Sequence, residues 1–110
     1  MNRRNVEMFS GDSVLVNVTV RLRNGSLADL TGGAFTYKVA RTPKSEILLT
    51  KTNGDGIIVT GPGALQIQLD PPDTSDLVGD DYYHELRSTG ASGAVTTLMY
   101  GTLTVNEDLA

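Results

Sequence analysis

The chain of 110 residues has no cysteine, no tryptophan, one histidine, two phenylalanines and four tyrosines. Without cysteine there are no disulfides and no thiolate metal sites. Zinc needs three or four nitrogen, sulfur or carboxylate ligands, and a lone histidine has no second one to help it. Basic residues are outnumbered, nine against thirteen acidic, for a net charge of −4. A phosphate backbone calls for a basic face, so nucleic acid is not an expected partner. No apolar run approaches the length of a membrane span, and a membrane is not an expected partner either. The opening residues MNRRNVEMFSGDS lack the apolar stretch of a secretory signal. That fits the cytosol or a particle assembled there. No helical periodicity of three turns is visible. The signatures of common enzyme chemistry are missing too. There is no G-x-S-x-G elbow, and no Gly-Lys-Ser/Thr follows the glycines at 54, 56, 61 and 63. The expectation is a chain with no cofactor and no catalytic site.

What the chain does have is alternation. Val14, Val16, Val18, Val20 and Leu22 alternate with Leu15, Asn17, Thr19 and Arg21. A period of two with β-branched residues on one side is a half-buried strand. Asn24-Gly25 then offers a turn. Phe35, Tyr37 and Val39 mark a second strand, and Glu46 to Lys51 a third. Ile57-Ile58-Val59 makes a short fourth, and Leu65, Ile67 and Leu69 a fifth. Tyr82, His84 and Leu86 share one face of a sixth, with Tyr83, Glu85 and Arg87 on the other. The last strand runs from about Val95 to Val105, and Gly101 inside it suggests a bulge. Val6 and Met8 alternate with Glu7 and Phe9, so residues 1–10 are either an edge strand or an arm that pairs with another subunit. Short strands about every ten residues predict an all-β, immunoglobulin-like antiparallel β-sandwich of about seven or eight strands over residues 11–106. Residues 107–110 form a tail.

Asp70 to Leu86 concentrates everything that resembles chemistry: two prolines, two tyrosines and the histidine. Asp70, Asp73, Asp76, Asp80 and Asp81 supply oxygens of the kind calcium takes, but at no EF-hand spacing. The simpler reading is one short helical turn near 73–78, capped by Asp73 or Thr74, among hydrated carboxylates. His84 faces the same way as Leu86, so it is expected to be a hydrogen-bonded core residue. Asp76 to Tyr82 resembles a tyrosine corner, in which a tyrosine opening a late strand bonds back to the preceding turn.

Several segments follow one order: Gly11-Asp12-Ser13 into Val14–Val20, Asp29-Leu30-Thr31-Gly32, Asp73-Thr74…Leu77…Gly79…Tyr82-Tyr83-His84-Glu85-Leu86, and Gly101-Thr102-Leu103-Thr104-Val105. In this order the chain resembles the immunoglobulin-like domains of tailed-bacteriophage structural proteins, over about residues 8 to 106. Such domains include the N-terminal domain of baseplate upper proteins and small stand-alone head and tail proteins. The resemblance implies a non-enzymatic virion protein that docks on a capsid, connector, tail or baseplate protein in multiple copies. No helical or fibre segment follows Val105, so a capsid decoration protein or an adaptor is expected rather than a receptor-binding fibre. The ambiguous amphipathic N-terminus makes Arg3, Arg4, Met8 and Phe9 the candidate partner-contact residues. The rival reading is a carbohydrate-binding sandwich, which would need an aromatic platform in a chain that has no tryptophan.

Overall fold

The computed structural model describes residues 2–21, 24–27, 30, 33–74, 77, 80–89 and 95–106. Among the described residues the structure is all-β apart from one four-residue helix. The strands are β1 (Asn2–Arg3), β2 (Val6–Phe9), β3 (Val14–Thr19), β4 (Ala34–Ala40), β5 (Ile47–Asn53), β6 (Gly56–Gly61), β7 (Ala64–Leu69), β8 (Asp80–Thr89) and β9 (Val95–Asn106), with helix α1 (Pro71–Thr74) between β7 and β8. They form one hydrogen-bonded path, β1-β9-β8-β4-β5-β6-β7-β3, with β2 also on β9.

The expected all-antiparallel pairing needs correction, because the sheet is mixed. β1 and β2 run parallel to β9, and β5 meets β6 in parallel. The last of these joins only Thr52 to Gly56 and Asn53 to Ile57. It is a corner made by the turn between them, where Gly54 and Gly56 take positive φ. The corner divides the path into two groups, β2-β9-β8-β4-β5 and β6-β7-β3. Apart from the parallel β2–β9 pairing, every ladder within them is antiparallel.

Alternation decides which side chains turn inward. Val16 and Val18 of β3, Ile57 of β6 and Leu65, Ile67 and Leu69 of β7 meet Phe35, Tyr37 and Val39 of β4. Tyr82 and Leu86 of β8 and Met99, Leu103 and Val105 of β9 complete the same cluster. Each such side chain contributes about 1.5–3 kcal/mol by leaving water. Met8 of β2 belongs to this core as well.

Two local expectations shift. The helical turn begins at Pro71, not near 73. Proline at a first helical position gives up an N–H that has no helical partner anyway. Residues 75, 76, 78 and 79 lie outside the described residues, as does the turn that the tyrosine-corner reading invokes. Gly101 is also not at a bulge. It pairs in register with His84, and the β8–β9 register shifts instead between Leu86 and Arg87.

Candidate functional site

The single histidine sits in the core at 0 % exposure, hydrogen-bonded as expected. Its Nε2 lies 2.7 Å from the Arg4 carbonyl oxygen and its Nδ1 lies 2.9 Å from the Tyr37 hydroxyl. A carbonyl can only accept, so Nε2 carries the proton and Nδ1 accepts from the tyrosine. Both ring nitrogens are satisfied by a neutral imidazole. Burial lowers the His84 pKa, opposed by the bond to the Arg4 carbonyl and reinforced by the Arg4 charge. Burial likewise raises the Tyr37 phenol far above its usual range. With both ring nitrogens hydrogen-bonded inside the core, the pair serves to hold structure together.

The Arg4 carbonyl reaches His84 by passing over Gly101, where a β-carbon would collide with it. Glycine within a strand therefore marks a close approach of another backbone. Asn5 Oδ1 accepts the Thr102 N–H at 3.0 Å beside this crossing. The Arg4 guanidinium reaches outward to the Asn17 carbonyl of β3. The Arg4 N–H also donates to the Tyr100 carbonyl at 2.8 Å, so the kink between β1 and β2 is pinned at four points.

In the acidic stretch, Asp73 does work that composition does not reveal. Its carboxylate accepts the Asp70 N–H at 2.7 Å and pairs with Lys51 Nζ at 2.8 Å. Asp70 is the residue before α1 and Asp73 the third within it, which is the returning arm of a capping box. The capping position expected at Asp73 or Thr74 therefore belongs to Asp70. Lys51 turns inward from β5 and is 8 % exposed. Its stem fills the space beside Gly56. Among the described residues, no three His, Asp or Glu side chains converge as a metal would need.

The four N-terminal candidates part company. Arg3, Arg4 and Phe9 present surface, whereas Met8 is buried in the core at 4 % exposure. The N-terminus is a pair of edge strands, and the sequence left that alternative open.

Sequence reasoning passed over two surfaces. The first is a shallow pocket of about 160 Å³ between β4, the 41–46 connection and β8. Ala40, Pro43 and Ile47 supply apolar walls, Lys38 and Lys44 supply amines, and Tyr83 and Glu85 close one side. Glu85 accepts the Tyr83 hydroxyl at 2.9 Å and lies 3.2 Å from Arg87. The second is a set of exposed apolar side chains on three strands. Leu15 on β3, Ile47 and Leu48 on β5, and Ile58 and Val59 on β6 are exposed large hydrophobic residues. Among the described residues, β3 pairs only with β7, and β5 beyond Thr52 and Asn53 pairs only with β4. These strands therefore carry apolar side chains beside edges without a ladder partner, although the Arg4 guanidinium occupies the Asn17 carbonyl on β3. The signal was available as the runs ILL and IIV, which exceed strict alternation.

No protein-family model and no curated protein sequence matches this chain.

Proposed function

We propose that the chain is an immunoglobulin-like β-sandwich that serves as a non-enzymatic structural protein of a tailed-bacteriophage particle. Its role would be capsid decoration or head–tail or baseplate adaptor, acting through contacts with other virion proteins. The strand pairing supports the sandwich reading. One sheet would be β2-β9-β8-β4-β5 and the other β6-β7-β3, with a first strand parallel to the last, as in domains of the variable type. The observation that carries the functional reading is the set of exposed Leu15, Ile47, Leu48, Ile58 and Val59 on strands with open edges. Monomers usually blunt such edges with charge, and strand addition uses them. The buried groups, each satisfied by a neighbour, favour binding over catalysis.

Charged substitutions at these positions test it. Leu48→Lys combined with Ile58→Lys should leave folding stability within about 0.5 kcal/mol per site, since neither side chain is in the core. The variant should nevertheless fail to enter particles assembled in cells. Full incorporation of this variant and of Leu15→Lys would count against a role for the edges.

The carbohydrate reading has one observation in its favour. Tyr83 and Tyr100 lie half-buried on the outward face of adjacent strands β8 and β9. A glycan array that gives binding to one sugar class, lost in Tyr100→Ala, would prefer that reading.

A further inference from the structure

The outer edge of β9 is covered by the chain's own first residues. β2 pairs there residue for residue, Val6 with Leu103 through Phe9 with Asn106, and sends Met8 into the core. β1 adds Asn2 and Arg3 beside Met99 and Tyr100. The segment makes its ladder with β9 alone. It is an added strand in every physical respect except that it is covalently attached. Its tether to β3 is Ser10 to Ser13, which turns at Gly11 with φ 84° and a bond from the Asp12 N–H to the Phe9 carbonyl. Extended, four residues span about 14 Å.

His84 holds this segment down. Protonation would leave its Nε2 bond to Arg4 in place but turn Nδ1 into a donor facing the Tyr37 hydroxyl, which then loses its acceptor. Tyr37 faces the ring from β4, Arg4 from the N-terminal segment, and Gly101 from β9 brings no side chain at all. Among the described residues, the charged side chain acting on the imidazole is Arg4, and it opposes a positive charge. The new charge needs water. On the Nε2 side lies the Arg4 backbone, passing over Gly101 with the Asn5 side chain next to it. Lifting β1 and β2 hydrates the imidazolium at the cost of drawing Met8 out of the core, whereas reaching it from the other side means separating β4 from β8.

We propose that the outer edge of β9 is a strand-docking site, that acid frees it of its own N-terminal strand through His84, and that on return to neutral pH the same strand of a second copy can fill it in place of the chain's own. The occupant follows from the fit. The complementary strand for this edge is already seen in place, and a second copy offers the identical residues, the identical register and the identical Met8 plug. Exchange therefore trades equal contacts, which is what makes strand swapping between copies a low-cost route to assembly. The inference does not depend on the identity of the particle, since it concerns copies of this chain alone.

The test exploits the absence of cysteine. Glu7 and Thr104 are register partners on adjacent strands. Strand spacing of about 4.8 Å is within the range a disulfide spans. The double variant Glu7→Cys/Thr104→Cys is incubated at high concentration at pH 7 or at pH 5, returned to pH 8, oxidised, and run on a non-reducing gel. Linked monomers alone at pH 7, with a ladder of covalent dimers and larger species after pH 5, are expected. Linked monomers under both conditions would overturn the proposal. The ladder should disappear when His84→Gln is added, because an amide donates to Arg4 and accepts from Tyr37 without titrating. An undiminished ladder would remove His84 from the account. Amide hydrogen exchange on the unaltered chain guards against variants that fold poorly. Val6 to Phe9 should lose protection on going from pH 7 to pH 5 while the β3–β7 ladder keeps it. Simultaneous loss across the sheet, or no loss, contradicts the release.

Discussion

Gly101 lies under the Arg4 carbonyl, and its missing side chain lets the N-terminal strand reach His84. Gly101→Ala should destabilise the protein by about 1–3 kcal/mol, the usual cost of forcing an extra methyl group into packed structure. Chemical denaturation measures this directly. The Lys51–Asp73 pair is mostly out of water, at 10 % and 15 % side-chain exposure. Lys51→Met strands a carboxylate and should cost about 3 kcal/mol. Adding Asp73→Asn, which removes the stranded charge and keeps an oxygen for the Asp70 N–H, should recover part of the loss. His84 gives a pH dependence. Its folded pKa is lowered from the 6.5 of the unfolded chain, so the unfolded chain takes up the proton first as pH falls. The stability it contributes is complete above pH 6.5 and is lost as pH drops through the folded value. Melting temperatures from pH 8 to pH 4 should fall earlier in the unaltered protein than in His84→Gln, and superimposable profiles would show that another group governs the decline.

The N-terminal edge is the element whose role changed most on folding. Met8 and Phe9 are neighbours, yet one is buried and the other 51 % exposed. Met8→Ala should cost about 2–4 kcal/mol, as for other buried side chains cut to a methyl. Phe9→Ala should stay within about 0.5 kcal/mol. Equal losses would mean that β2 does not dock as described. Alternation made most strands legible, because one buried face per strand imposes a period of two. Val14–Thr19, Ala34–Ala40 and Ala64–Leu69 follow from it, and so does the inward His84. The docking of β2 was not legible, because four alternating residues fit a docked strand and a free arm equally well. The buried Lys51 was not legible either. Its long stem reaches a charge more than twenty positions away, and no local pattern encodes that. Gly101 resembles a bulge in sequence because a crossing backbone leaves the same trace there as an extra residue does.

On the scale of the whole molecule, polarity divides the structure in a way that bears on its use. Inside, the imidazole, the phenol of Tyr37 and the Lys51–Asp73 pair are each satisfied by a neighbour. Outside, apolar side chains sit beside open strand edges. Together these favour a protein whose work is done by contacts at its edges, in line with a repeated component of a virion. The candidate site was legible only to that extent. Surfaces for partners are assembled from strands far apart in sequence, and their outward residues obey no spacing rule. The measurement that bears most directly on this account is quantitative mass spectrometry of purified particles made by the genome that encodes the chain. The protein is expected in those particles at a fixed ratio to the major capsid protein, in hundreds of copies for a decoration role or in about six or twelve for an adaptor. Its absence from intact particles, with the protein present in the producing cells, would contradict it.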